Sequence, residues 1–418
     1  MNTRDANDPF KDVLPSVHEA VRKSVLLIAL HNKLESLPPG SFPFAAELGR
    51  LRDKIAPQIG DTRILFPEFT PHDEALHVAK LFQLADKLFG TAYDQLKAAE
   101  LFLLACALYA HDWGMAVGQH EKEYLRHGAS ADYLRDTFSP LPDESERLEA
   151  FVRAEGLERG PDGTFCELSD DDLRLYVRLT HARRSGIRVR AHFHEHPAVG
   201  QALAHLCEGH WHDFGTLDDP HRFPRDYEAA GQTTHLLALA LQVRLIDLFH
   251  ITDDRTPYAL WRFVSPTDRR SGEEWRKHRA LHGVAVIDFP PGRAIKIQGF
   301  TEDEEVWAGL QDLRRYCEDQ INRTLDLCAR HVPQRYMLDF LKLEWVVTTG
   351  TLRPVELSFG FDSGAMFRIL SDDIYDGDRY VFLRELLQNS IDAIRTRRTR
   401  HEQRARGSSS RGTVQTHR

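Results

Sequence analysis

Residues 101–115 read LFLLACALYAHDWGM, and the rest of the chain is best interpreted from them. Ten mostly apolar residues suffice for about three helical turns. They are apolar nearly all round, so the helix is expected to be buried. It runs into His111 and Asp112. An unpaired polar group in a core is costly, so this imidazole and carboxylate must pair, hydrogen-bond or take a metal. The other informative histidines and aspartates are therefore sought as partners of this pair.

Composition bounds the class. With 418 residues, 42% apolar and 10% aromatic, the chain can bury more than one core, and two or three domains are expected. A formal charge of −9 carries no strong nucleic-acid signal, although a local basic groove stays compatible with it. Cys106, Cys166, Cys207, Cys317 and Cys328 form no CxxC pair. That suits reduced thiols better than disulfides or a zinc knuckle. The N-terminus is polar and no apolar run reaches membrane-spanning length. A cytoplasmic protein without membrane contact is the expectation.

The expected fold class is mainly α, with a small α+β connector and an incomplete α/β segment at the C-terminus. Residues 1–60 read as a helical layer (helices over 13–34 and 45–55), broken at Pro38-Pro39-Gly40. Residues 61–282 read as the main helical domain. In it, helix 74–89 carries His77, and the buried helix ends at a sharp turn at Gly114. Polar residues 118–170 look like an insertion with helices over 121–138 and 144–154. Helix 171–181 leads into Arg183-Arg184-Ser185, helix 197–210 ends at His210, and helix 235–251 contains Arg244 and Asp247. Residues 283–357 form the connector: strands 284–289 and 294–298 around a Pro290-Pro291-Gly292 turn, helix 302–331 and strand 343–349. A last helix is expected over 380–394, and the basic Arg/Ser/Gly-rich residues 396–418 are expected to be disordered.

His-Asp pairs occur at 72–73, 111–112 and 212–213, and among 22 histidines a couple are expected by chance. Residues 69–74 read as a turn and helix start. The middle pair differs because it closes a buried helix. His77, His111, Asp112 and Asp247 together offer two imidazoles and two carboxylates, a mixed set that suits Mn, Fe, Zn or Mg. His181 and His210 could complete a second position bridged by Asp112, so one or two divalent ions are expected. Each residue also has a plainer reading: His77 as a boundary histidine, Asp247 as an i,i+3 salt-bridge partner of Arg244, and His181 and His210 as structural residues competing with His120 and His127.

The order of these residues resembles the H…HD…D motif of the HD-domain metal-dependent phosphohydrolase superfamily, over roughly residues 60–255. His77 matches the first histidine, in His77-Val78-Ala79-Lys80-Leu81, without the usual hydroxyl residue after it. His111-Asp112-Trp113-Gly114-Met115 matches the doublet and its turn, with Met115 where a lysine is frequent. Leu245-Ile246-Asp247-Leu248 matches the final aspartate segment. The resemblance implies an all-α domain and a metal-activated water that hydrolyses a nucleotide or other phosphoester. It also leaves phosphate stabilisation to Arg183, Arg184 or Lys80. The glycine-tyrosine-proline extension of cyclic-di-nucleotide phosphodiesterases is not evident.

A second motif, Arg384-Glu385-Leu386-Leu387-Gln388-Asn389-Ser390-Ile391-Asp392-Ala393, places Glu385 and Asn389 on one helix face. A carboxylate there could activate water while the amide oxygen holds Mg²⁺ on a triphosphate. Residues 358–395 resemble the first ATP-binding box of the GHKL (Hsp90-like) ATPases. That resemblance implies Glu385 as the catalytic base and Asn389 and Asp392 as binders of ATP and Mg²⁺. The family's later glycine boxes do not follow. ATPase activity is therefore expected only if a longer chain, or a partner, supplies them. An HD domain ahead of such an ATPase resembles the architecture of bacterial conflict-system proteins. Two readings follow: an HD-type hydrolase, or a non-catalytic module sensing a nucleotide or partner, either of which could be a homo-oligomer.

Overall fold

A computed structural model describes residues 8–128, 134, 137–157 and 167–350, together with 387, 388 and 391. The described part of residues 1–352 is mainly helical, with two small sheets. Apart from those last three positions, the GHKL-like stretch, including Glu385, Asn389 and Asp392, and the tail lie outside the described residues.

The N-terminal layer is more broken than its periodicity suggests. The expected 13–34 helix is a short turn, Glu19–Arg22, followed by α1 (Val25–Leu34). Ser24 interrupts it, because its hydroxyl accepts the amide of Leu27 and caps α1. Asp86 on α3 (Ala79–Phe89) caps the same helix from outside, accepting the amides of Val25 and Leu26 at 2.8 and 3.0 Å. Between them lies α2 (Phe44–Gly60), whose Leu48, Leu51 and Ile55 face the core.

Burial pushes the Asp86 carboxyl up to about 6, and the two amides only partly offset it. A folded-state value above the unfolded one means full stability below about pH 4, lost as pH rises through 6. Two units correspond to about 3 kcal/mol at most. Asp86→Asn should flatten that loss. Urea unfolding is expected to move in favour of the variant, relative to wild type, by up to about 3 kcal/mol between pH 4 and pH 8.

The helix read first is α4 (Ala98–Ala110), and every one of its residues is buried. It sits in the main core, packed against α1, α2 and α3, and three further helices contribute to the same core. These are α7 (Asp170–His192), α8 (Pro197–Gly209) and α9 (Leu236–Leu248). Two polar-region helices precede α7: α5 (Gln119–His127) and α6 (Glu144–Ala154). The expected 121–138 helix ends early because Gly128 adopts φ 58°, which stops it. Leu125, Leu148, Phe151 and Val152 make a second small core with Tyr176 and Val177 of α7.

A two-stranded hairpin, β1 (Tyr227–Ala229) and β2 (Gln232–Thr234), leads into α9. A polar helix, α10 (Arg269–Ala280), then precedes the connector. There β3 (Leu281–Phe289) and β4 (Gly292–Phe300) pair antiparallel around the expected turn. The long α11 (Glu304–His331) crosses over to β5 (Phe340–Thr348), which pairs parallel with β4. A parallel pair requires such a crossover. No single described helix is long and apolar enough to cross a membrane.

Candidate metal centre

Five segments deliver side chains to one point beneath the end of α4. His77 lies in a π-helical turn, Glu74–Val78, that opens α3; Asp73 caps it by accepting the amides of Ala75 and Leu76. Such turns place a residue off the regular helical register. His111 and Asp112 follow α4 directly, in a turn continued by Trp113–Met115. His181 sits mid-way along α7, His210 just after α8, and Asp247 near the end of α9.

Helix α7 holds the His111–Ala116 turn with an i, i+3, i+4, i+7 face. Ser185 donates to the His111 carbonyl (2.6 Å) and accepts the Gly114 amide (2.7 Å). Arg184 Nε donates to the Gly114 carbonyl (2.9 Å), and Arg188 donates to the carbonyls of Trp113 and Ala116. The approach is so close that a Cβ on Gly114 would lie 1.9 Å from the His181 carbonyl oxygen. This contact fixes His181 against the doublet. Across the site Arg244 acts in the same way, donating to the carbonyls of Gly209, His210 and His212 and to Gln320. It makes no ion pair with Asp247, which is left to the cluster.

The distances describe two adjoining groups that share Asp112. Asp112 Oδ2 lies 3.4 Å from His77 Nε2 and 3.3 Å from His111 Nε2, and Asp247 Oδ1 lies 3.5 Å from His111 Nε2. Asp112 Oδ1 lies 3.4 Å from His181 Nε2, which is 2.9 Å from His210 Nε2. Within each group the ligand atoms all fall within 4.8 Å of one another. Bonds of about 2.1 Å put neighbouring ligands about 3.4 Å apart in a tetrahedron and about 3.0 Å in an octahedron. The observed spacings fit those edges.

The polar atoms ask for a ligand. His77 Nε2 and both ring nitrogens of His111 are buried without a hydrogen-bond partner. His181 and His210 each use Nδ1 on a backbone carbonyl, of Arg178 and Cys207, at 2.6 and 2.5 Å. That leaves their Nε2 atoms as acceptors facing each other, an arrangement a cation relieves. Burial pushes His210 and His72 down to about 3 and lowers His77, so these rings are neutral donors. Burial opposes ionisation of Asp112 and Asp247, but His111 outweighs it and holds both carboxyls below their usual range. Burial also disfavours charge on His111, yet the same carboxylates raise it to about 10. A proton on His111 and a divalent ion therefore compete for one pair of carboxylates. The cluster is compatible with a divalent metal site.

Two histidines had no signal of their own in the sequence. His72 Nε2 lies 3.6 Å from Asp112 Oδ2, although His72-Asp73 resembled a chance pair. His250 stacks on His77. His120 is exposed, and His127 pairs with Glu123.

The three cations expected to meet phosphate, Arg183, Arg184 and Lys80, lie away from the cluster. Helix α7 continues eleven residues past the expected end at His181, to His192, so Arg183 and Arg184 lie within it and face different ways. Arg184 is fully buried between Glu121 (2.7 Å) and Glu144 (3.0 Å), and its guanidinium is fully committed there. Arg183 pairs with Glu208 at 2.9 Å and lines a separate groove beside Trp113 and Ile187. Lys80 pairs with Asp254. None of the three lines the cavity above the cluster.

That cavity, about 310 Å³, is floored by His72, Asp112, His181, His210 and Asp247. One wall is α10, which presents Ser271, Glu274, Trp275 and His278 at i, i+3, i+4 and i+7. Its cations are Arg178 and Arg255. Arg178 donates to Ser271 (2.7 Å) and lies over Phe69. Arg255 donates to the His250 carbonyl (3.1 Å) and buries Nε without a partner. Among the described residues it has no carboxylate in ion-pair range.

The model of one protein family, HD-CE, matches residues 66–327, which include every residue of this cluster and the whole of α10. No curated protein and no solved structure matches the chain. With the match covering well over half of its 418 residues, the chain belongs to the HD-CE family.

Proposed function

We propose that the chain is a metal-dependent phosphohydrolase of the HD type, acting on a nucleotide or other phosphoester. The observation that carries this reading is the convergence of His77, His111, Asp112 and Asp247, with His181 and His210 alongside, beneath a cavity that Asp112, His181, His210 and Asp247 line together with two arginines. His77, His111, Asp112 and Asp247 would hold one ion; Asp112, His181 and His210 would hold a second. A donor set this rich in imidazole favours Mn, Fe or Zn over Mg. When bound, a divalent ion supplies charge neutralisation at phosphoryl oxygens and a lowered pKa for water.

The chain's own residues do the rest. Arg255, and Arg178 across the cavity, orient the phosphoryl group through paired N–H donors. Helix α10 excludes bulk water on one side through the fully buried Trp275, whose indole N–H is held by the Glu68 carbonyl. The cavity is at the lower end of the range for ligand sites, about 300–1,000 Å³, which suits a small phosphoester.

The test is a panel of nucleotides and phosphomonoesters assayed with Mn²⁺, beside variants of Arg255. Arg255→Ala is expected to lower kcat/KM by roughly tenfold to a hundredfold, the loss of about 1.5–3 kcal/mol from a charged hydrogen bond. Arg255→Lys should recover only part of it. Metal uptake with no turnover across the panel would favour the sensing module instead.

By motif alone, residues 358–395 are read as the first box of a GHKL-type ATPase, with Glu385 as base and Asn389 and Asp392 binding ATP and Mg²⁺ once the remaining boxes are supplied. In the same reading residues 1–60 are a supporting layer, 61–282 the HD domain and 283–357 the connector. Association with another copy, or with a partner completing the ATPase, belongs to this proposal too.

A further inference from the structure

Imidazoles that ligate metals are oriented by a hydrogen bond at their other ring nitrogen, most often to a carboxylate or a backbone carbonyl. His181 and His210 take theirs from carbonyls three residues back in their own helices. His77 has no such carbonyl. Its Nδ1 instead meets His250 Nδ1 at 2.9 Å, with the rings 5.0 Å apart and inclined by 26°. Both residues are buried, at 0% and 3% exposure.

Two nitrogens at that distance share one proton, and its position decides what His77 can do. On His250 Nδ1, the proton would leave His77 protonated at Nε2, with an N–H aimed into the cluster. On His77 Nδ1, it leaves a lone pair at Nε2, the atom that is buried without a partner 3.4 Å from Asp112 Oδ2. We propose that His77 donates Nδ1–H to His250 Nδ1, so that His250 is the positioning residue that turns the His77 lone pair toward the metal position. This rests on the metal site proposed above, and not on turnover.

The remaining atoms agree with that direction. His250 must then carry its own proton on Nε2, which has no protein partner. The ring lines a separate cavity of about 190 Å³ with Lys80, Gln83, Thr252 and His282, polar and roomy enough for a water to accept it. The backbone holds the ring in place: the His250 amide donates to the Asp247 carbonyl (3.1 Å), and its carbonyl accepts from Arg255. One stretch running on from the last turn of α9 thus supplies a ligand, the residue that orients another ligand, and an arginine at the cavity.

Two variants separate orientation from packing. His250→Asn keeps an oxygen near the Nδ1 position and can still accept, whereas His250→Leu keeps the bulk and cannot. Chelator competition with Mn²⁺ or Zn²⁺ should show the leucine variant binding metal tenfold to a hundredfold more weakly, and the asparagine variant within about threefold of wild type. Should the leucine variant fail to fold, long-range ¹H–¹⁵N spectra of the metal-free, ¹⁵N-histidine-labelled wild-type chain decide alone, with His77 expected as the Nδ1–H tautomer. Equal metal affinity in the folded leucine variant, or an Nε2–H tautomer at His77, overturns the assignment. Neither measurement reads hydrolysis, so a chain that binds metal and turns nothing over fails as a hydrolase while this role of His250 stands.

Discussion

Asp112→Ala is expected to abolish stoichiometric metal binding at both positions, and hydrolysis with it. Asp112 is the one side chain common to both groups, with Oδ2 toward His77 and His111 and Oδ1 toward His181. Losing a neighbour that merely orients a ligand costs about tenfold to a hundredfold in affinity. Losing a shared charged ligand should exceed that at each position. The fold should survive, because the turn carrying Asp112 is held by Ser185, Arg184 and Arg188 through backbone groups that the substitution leaves alone. Elemental analysis beside circular dichroism checks both halves. Asp112→Asn, which keeps the shape and removes the charge, should behave like alanine in metal content. A variant that kept full metal occupancy would show that the doublet is a structural pair.

The second large effect is expected at Gly114. Its φ needs no glycine, since the requirement comes from outside: an added Cβ would sit 1.9 Å from the His181 carbonyl oxygen and 2.8 Å from Arg184 Cβ. No rotamer change relieves a clash with backbone, so α7 must move off the turn. Overpacking of a core costs about 1–3 kcal/mol, occasionally more, and Gly114→Ala should lie at or beyond the top of that range. The displacement also pulls His181 away from Asp112 and His210. Metal binding in the folded fraction should therefore fall at the Asp112–His181–His210 position more than at the other. Thermal unfolding and metal titration read these separately. An unchanged melting temperature would mean that α7 does not pack on this turn as described.

How far the sequence disclosed this site follows from what kind of residue carried each part. His77, His111, Asp112 and Asp247 were legible because each sits on or beside a strongly apolar helix, where a charged or imidazole side chain stands out. The segments of α4 and α9 were expected within a few residues of their observed bounds, and the β3–β4 hairpin announced itself by its turn. His72 and His250 carried no comparable signal, since they reach the cluster by tertiary packing from a loop and a helix end.

The arginines are a different case, since their placement depends on where α7 ends. The expected helix 171–181 stops short of Arg183, Arg184, Ser185 and Gly186, and the last two of these weaken helical propensity. Tertiary packing overrides it. Gly186 lets Glu208 approach, and Ser185 and Arg184 are the contacts that bind the helix to the doublet. The cavity wall was missed for want of a pattern: α10 reads RRSGEEWRKHRA, with too few apolar residues to show a period. Its buried face consists of Ser271, Trp275, His278 and Ala280, half of it polar, as a wall facing a polar ligand would be.

The most direct test of the central claim is the metal content of the purified chain, after stripping with chelator and reconstitution with Mn²⁺, Fe²⁺ or Zn²⁺, beside His77→Ala. The account predicts one or two tightly held ions per chain, and fewer in the variant. A chain that takes up no stoichiometric ion of any of the three, while remaining folded, would contradict it.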